Sequence, residues 1–299
     1  MAIETGMHGR AITACFMTVL FWMAGTQGAA AAPDITWTYS SFPPAYIEQN
    51  NTLQGYATQT QNWLIDRLPQ YHHIVKTVPL ARLLAEMRSP ELHCSLTLIP
   101  TKRRKEYIYF AKPILISLPP SVVILAQKMP VFRPYLNDKN EIDINRLLAN
   151  NGIITAIRQG RSYGQYIDDI VSQYLSRPNI ITVGSDDKFI QLLEIDRLDW
   201  VMYLPDEAEY HLRQSNYNSE IISLPIANMP PFVSATMGCP KNRQGKQVID
   251  AVNNILDAYP DMPWTQYYKA WIPPKDRPRY NDILKGILAA RLSQPNSPF

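Results

Sequence analysis

Cysteine is scarce in this sequence, with three residues in 299, at Cys15, Cys94 and Cys239. That excludes a small fold held together by many disulfides. With no C-x-x-C or H-E-x-x-H spacing there is no zinc signature either. The few histidines do not change this. His72 and His73 are adjacent, so their side chains diverge on a strand, and His93 beside Cys94 has the same defect. Neither a metal nor a cofactor is expected. Glycine is also thin, and no G-x-x-x-x-G-K loop is present to cradle a phosphate. Nor does one sign of charge dominate. Lys and Arg number 29 against 26 acids, a formal net charge of +3 spread along the chain, unlike the footprint of a nucleic-acid-binding protein.

Long apolar runs are absent except for one. Residues 11–25 (AITACFMTVLFWMAG) come after a short head carrying Arg10 and precede the small-residue tract GAAAAPD. This order predicts a cleaved secretory signal over 1–32, and a run too short to span a bilayer comfortably. Ile12-Thr13-Ala14-Cys15 has the look of a lipoprotein box, but most of the apolar run lies after Cys15 rather than before it. Export leaves Cys94 and Cys239 as a lone pair in an oxidising compartment, where a disulfide is the expected use and two buried thiols the alternative.

Beyond the leader, the chain alternates between strand and helix patterns. Strands are expected over 34–39, 73–78, 93–99, 121–127, 153–157, 180–183, 200–204, 221–225 and 232–239. Helices are expected over 55–68, 80–87, 163–174, 188–195, 206–213, 244–259, 264–271 and 280–292. Ser185, ahead of Asp186 and Asp187, reads as a helix N-cap. The alternation predicts an α/β fold with largely parallel sheet, built as two units with the second inserted into the first. The expected boundaries are lobe 1 over 33–126 and 226–299 and lobe 2 over 127–225, with crossovers near 126–131 and 225–233.

Gly160-Arg161-Ser162-Tyr163-Gly164 matches the G-x-S-x-G nucleophile elbow and lies between a predicted strand and helix. A serine hydrolase also needs a downstream acid and histidine. The sole later histidine is His211, inside a predicted helix, and no glycine-rich stretch upstream offers an oxyanion hole. The same turn can serve otherwise: a hydroxyl and backbone N–H groups at a helix start suit an anion. Aromatics are plentiful: Tyr39 falls at a strand end, Tyr46 in a proline-stiffened loop and Tyr203 near the end of a predicted strand. Most such rings are core or rim, but in an α/β sheet this is also where the wall of a ligand crevice forms.

Five ordered stretches resemble the extracytoplasmic solute-binding proteins of the amino-acid-binding type, family 3, over most of the region 35–271. They are FPPAYIEQNNTLQGYATQTQNWLIDRL, TLIPTKRRKEYIYFAKP, RQGRSYGQYI, LLEIDRLDWVMY and YYKAW. The resemblance implies the two-lobed type II periplasmic-binding-protein fold, with a cleft between the lobes. It implies a periplasmic protein that is not an enzyme. Such a protein captures a small carboxylate-bearing ligand, an amino acid or a relative, by hinge closure.

It also implies a site. Arg104, on the motif's arginine, forks onto a carboxylate, with Thr97 as neighbour. Arg161, Ser162 and Tyr163 supply the turn from the other lobe, and Tyr39, Tyr46 and Tyr203 complete the ligand-binding set. The implied partners are the small molecule and an inner-membrane transporter or sensor, with the chain itself a monomer. The pattern departs at three places: Gln59 stands where the family has an acid in the first helix, Lys102-Arg103 replaces its Pro-Glu, and where it carries an acid for the ligand's ammonium this chain has Leu204, with Asp206 two residues on. The alternative is a secreted enzyme on the same scaffold, either a Ser162 hydrolase or a dehydratase.

Overall fold

The computed structural model describes residues 1–3, 32–50, 52–215 and 219–293. The expected signal segment falls almost entirely outside them. Among the described residues no helix is long and apolar enough to cross a membrane.

In chain order, the first half comprises β1 (Asp34–Tyr39), β2 (Ile47–Gln49), β3 (Thr52–Gln54), α1 (Tyr56–Ile65), β4 (His72–Thr77), α2 (Leu80–Glu86), β5 (His93–Leu98), α3 (Lys102–Lys105), β6 (Ile108–Phe110) and β7 (Leu115–Ser117). The second half continues with β8 (Ser121–Leu125), α4 (Met129–Phe132), α5 (Ile144–Ala149), β9 (Thr155–Arg158), α6 (Gln165–Val171), β10 (Ile180–Val183), α7 (Phe189–Glu194), β11 (Val201–Tyr203), α8 (Pro205–Gln214) and β12 (Ile221–Pro225). The chain closes with β13 (Val233–Pro240), α9 (Arg243–Ala258), α10 (Thr265–Lys269) and α11 (Arg277–Ser293).

The larger sheet runs β4-β1-β5-β13-β6, with β7 also on β13. Strands β4, β1 and β5 are parallel, as crossover helices require, while β13 is antiparallel to its neighbours. In the smaller unit β11-β8-β12 are antiparallel, and β9 and β10 form a parallel pair. The largely parallel sheet expected from the alternation is therefore mixed. The reason is that β8 and β13 are entered directly from a preceding strand, β7 and β12, through 118–120 and 226–232, instead of by a βαβ step.

Strand β8 also corrects the expected crossover. Its apolar run places Val122 and Ile124 in one buried cluster with Ile167, Trp200 and Met202, and Val123 and Leu125 in another with Phe189, Leu193 and Tyr203. A strand covered on both faces reads as continuous hydrophobicity, and here both faces belong to the smaller unit. The chain thus leaves the larger sheet at 118–120, before β8, and 126–131 is a helical turn inside the second unit. The return lies at 226–232, between β12 and β13.

The larger core packs Ile35, Trp37, Leu64 and Leu96 against Val248, Val252 and Leu256 of α9. The spacing of these α9 residues makes one helix face. The helix starts where Asn242 Oδ1 accepts from the Gly245 amide at 2.8 Å. Helix α11 buries Tyr280 and Ile287 in the same core, and the Arg291 guanidinium donates to the Leu256 carbonyl at 2.9 Å, capping the end of α9. Cys94 on β5 and Cys239 on β13 form a disulfide, with S–S 2.08 Å, between neighbouring strands. The expected N-cap at Ser185 is corrected: α7 begins after Lys188, and Ser185 Oγ instead accepts from the Asp187 amide and donates to its carboxylate.

Candidate functional site

Helix α3 is a single turn, and its one buried member is Arg104. The Thr101 hydroxyl caps it, accepting from the Arg104 amide at 3.2 Å. Lys102, Arg103 and Lys105 point to solvent. Arg104 Nη1 donates to the Ile99 carbonyl at 2.9 Å and Nη2 to the Gly160 carbonyl at 2.8 Å. The second bond ties the larger unit to the turn after β9. Burial lowers the Arg104 pKa, but an arginine stays protonated. Among the described residues no carboxylate forms an ion pair with it.

Two more arginines stand nearby, and both are neutralised. Arg158 ends β9; its Nη1 donates to Asp186 Oδ1 at 2.9 Å and to the Ser41 carbonyl at 2.9 Å, and its Nη2 donates to Ser40 Oγ at 2.6 Å. Arg161 forks onto Glu207, with Nη1 to Oε1 at 2.9 Å and Nη2 to Oε2 at 2.6 Å, and Nη1 also donates to Asp186 Oδ2 at 2.5 Å. Its guanidinium lies 4.7 Å from the ring centroids of both Phe42 and Tyr163. Burial pulls the Arg161 pKa down, but Glu207 and Asp186 outweigh it and hold the net shift upward. Burial pushes the Asp186 carboxyl up, and Arg161 and Arg158 together pull it below its usual range.

The Ser162 hydroxyl donates to Asp168 Oδ2 at 2.5 Å, and the same carboxylate accepts from the Tyr163 amide at 2.8 Å. Burial raises the Asp168 pKa, against the pull of these bonds. His211, the histidine a hydrolase would require, is instead stacked on the buried Tyr203 ring with centroids 5.1 Å apart.

These groups surround a cavity of about 80 Å³, room for roughly two or three waters at about 30 Å³ each. Its wall holds Arg104, Thr97, Arg161, Ser162 and Tyr163, all five of them expected in one site from the sequence. Between these lie apolar surfaces from Leu80, Leu98, Leu115, Leu204 and Val233. A wider cleft of about 730 Å³ opens beside it and shares Arg104, Arg158, Arg161, Ser162 and Tyr163.

The other three expected members are not on either wall. Tyr39 is buried, and its hydroxyl donates to Glu48 Oε2 at 3.3 Å. Tyr46 is fully buried and donates to Gln61 Oε1 at 3.0 Å. Tyr203 is fully buried and donates to the Asp186 carbonyl. Tyr39 and Tyr203 end strands as expected, but alternation along the strand turns each ring into a core, and Tyr46, in the loop just before β2, is buried as well. Arg158, Asp186, Glu207, Phe42 and Tyr56 belong to the site without having been expected there. A signal existed for Arg158: it directly follows the predicted strand 153–157, and it ends the observed one. Among the described residues no group of three or more His, Cys, Asp or Glu is placed to hold a metal.

No protein-family model matches the chain, and no curated protein does. Solved structures do. A substrate-binding protein of an ABC uptake transporter from Streptococcus pneumoniae, with bound histidine, is 13% identical with a TM-score of 0.61, over 80% of this chain and 92% of that one. A periplasmic binding protein of an arginine transport system from Legionella pneumophila is 17% identical with a TM-score of 0.58, over 80% of this chain and all (100%) of that one. An arginine-, lysine-, histidine-binding protein from Geobacillus stearothermophilus is 18% identical with a TM-score of 0.56, over 82% and 98%. At these identities the likeness shows the fold, which is the two-lobed periplasmic-binding-protein architecture.

Proposed function

We propose that this chain is an extracytoplasmic solute-binding protein that closes its two lobes around a small carboxylate-bearing ligand. The observation that carries this reading is Arg104. It is a buried guanidinium on the cavity wall whose hydrogen-bond partners are two carbonyls, one from each side of the cleft, while the Asp168 carboxylate acts on it through its charge without forming an ion pair. Guanidinium offers paired donors to a planar carboxylate. A ligand there bridges the Arg104 side and the Ser162 side, so its binding energy favours the closed arrangement.

The lobes divide at 118–120 and 226–232, and these two segments serve as the hinge. The arginine-, histidine- and lysine-binding proteins that share the fold support a role in uptake or sensing, with a membrane importer or sensor as partner to a monomeric chain. The disulfide between Cys94 and Cys239 supports an oxidising, periplasmic location. A signal over 1–32 is part of the same proposal. The hydrolase alternative is disfavoured, because Ser162 hydrogen-bonds a carboxylate and His211 is held against Tyr203.

Thermal shift with a panel of small carboxylates and amino acids tests the proposal. A ligand at one hundred times its Kd stabilises the folded state by about 2.7 kcal/mol, which is several degrees in Tm. Arg104→Ala should abolish that shift and Ser162→Ala should reduce it. Equal shifts in wild type and both variants would place the ligand elsewhere. Turnover of an ester lost on Ser162→Ala would make the chain an enzyme.

A further inference from the structure

We infer that the ligand is a carboxylate without an α-ammonium group: a small monocarboxylate with an apolar body, not an amino acid. The inference rests on the reading of the cavity as a solute site. The cavity wall contains three arginines and not one Asp or Glu. Asp186 and Glu207, the acids that balance Arg158 and Arg161, stand behind those arginines and do not reach the wall. Asp206, the nearest acid in sequence to Leu204, does not reach it either; its Oδ1 accepts from the Tyr268 hydroxyl at 3.0 Å. Leu204 itself contributes an apolar surface.

The polar groups that remain are mostly donors. Arg158 Nε, Arg161 Nε and the Tyr163 hydroxyl are buried without a partner, all on residues of this wall. Buried donors without partners favour an acceptor-only group such as a carboxylate. The hydroxyls of Thr97, Ser117 and Ser234 can accept a hydrogen bond from an ammonium but bring no charge to balance it. The acid whose charge reaches Arg104 is Asp168, but it lies on the adjoining cleft and not on this wall. Its two oxygens already accept from the Ser162 hydroxyl and the Tyr163 amide, so an ammonium in the cavity has no free carboxylate beside it except its own. The apolar residues from Leu80 to Val233 then select for a hydrocarbon body, and about 80 Å³ limits it to a small one.

The test compares matched pairs that differ in the ammonium alone: isocaproate with leucine, isovalerate with valine, propionate with alanine. Each is titrated into the purified protein by calorimetry. Leaving a buried ammonium unpaired costs about tenfold to a hundredfold in affinity, so at least one carboxylate should bind that much more tightly than its amino-acid twin. Leu204→Asp, which puts an acid on the wall, should narrow or reverse that preference, and circular dichroism checks that the variant folds. If leucine, valine or alanine binds more tightly than its twin and Arg104→Ala abolishes it, the ligand class is wrong while the solute-binding reading stands. If no member of the panel binds, the ligand class is overturned. If, in addition, no solute in the thermal-shift panel distinguishes wild type from Arg104→Ala, the solute-binding reading falls with it.

Discussion

Tyr268 and Asp206 are joined across the two lobes: the tyrosine hydroxyl, in the larger core, donates to Oδ1 in the first turn of α8 at 3.0 Å. An acid in a first helical turn is ordinarily favoured by the helix dipole, but here burial dominates. Asp206 is 1% exposed. Burial first, and the neighbouring Glu207 charge second, push its pKa up to about 7. A carboxyl whose folded pKa is raised binds its proton more tightly in the native state. Its contribution is therefore fully present below the unfolded value, near 4, and is lost as pH rises toward 7.

The expected result is a stability difference between Asp206→Asn and wild type that grows in favour of the variant from pH 4.5 to 7.5. The slope should not exceed about 1.4 kcal/mol per pH unit. Urea unfolding at a series of pH values measures it. A difference that is flat with pH would mean that Asp206 titrates as an ordinary surface carboxylate.

The disulfide between Cys94 and Cys239 fastens β5 to β13 and closes a sequence separation of 145 residues. Closing a loop of that length in the unfolded chain is worth about 5 kcal/mol in the chain-entropy account. The double substitution Cys94→Ala and Cys239→Ala should therefore lower Tm on the order of 10 °C for a chain of this size. The bridge lies in the larger core, away from the cavity wall, so affinity for a bound carboxylate should change little at temperatures where the variant is folded. Calorimetric unfolding of the oxidised protein and the variant checks the first statement. A Tm that does not move would assign the bridge no role in stability.

Local chemistry is legible in the sequence wherever one element decides it alone. Strands β1, β10 and β12 have the expected bounds, because each is a short apolar run between turn residues. The choice of Arg104 within Lys102-Arg103-Arg104-Lys105 comes from the motif that this stretch resembles, and it is the one buried side chain of that turn. Tertiary contacts are not legible. Nothing in Ser121–Leu125 says which unit will cover its two faces, so the expected passage between lobes falls one strand late.

The cluster of Arg158, Arg161, Asp186 and Glu207 is invisible in the sequence for the same reason. Its members come from β9, the turns before α6 and α7, and the start of α8, and no spacing in the chain links them. Tyr39, Tyr46 and Tyr203 show the converse. Their positions at strand ends, or for Tyr46 in a loop between strands, suggest a crevice, but which side of such a position faces the cleft depends on the sheet packing against it.

Within that cluster, Arg161 and Glu207 make the most complete pairing, a two-bond fork in a fully buried setting. Desolvating two charges is costly, and the fork repays this only while both partners remain. Glu207→Gln leaves Arg161 with Asp186 as its remaining carboxylate and removes the charge that the Leu204 amide now donates to at 2.7 Å. The expected loss is about 3–5 kcal/mol. Arg161→Met, which strands Glu207 without a cation, should cost a similar amount. The double variant Arg161→Met with Glu207→Gln removes both charges and should cost clearly less than the two single losses combined, with a coupling of at least about 1 kcal/mol. Urea denaturation of the four proteins completes the cycle. Simple additivity would show that the fork contributes nothing beyond the packing of its two side chains, and that the balance of charge behind the cavity wall does not depend on it.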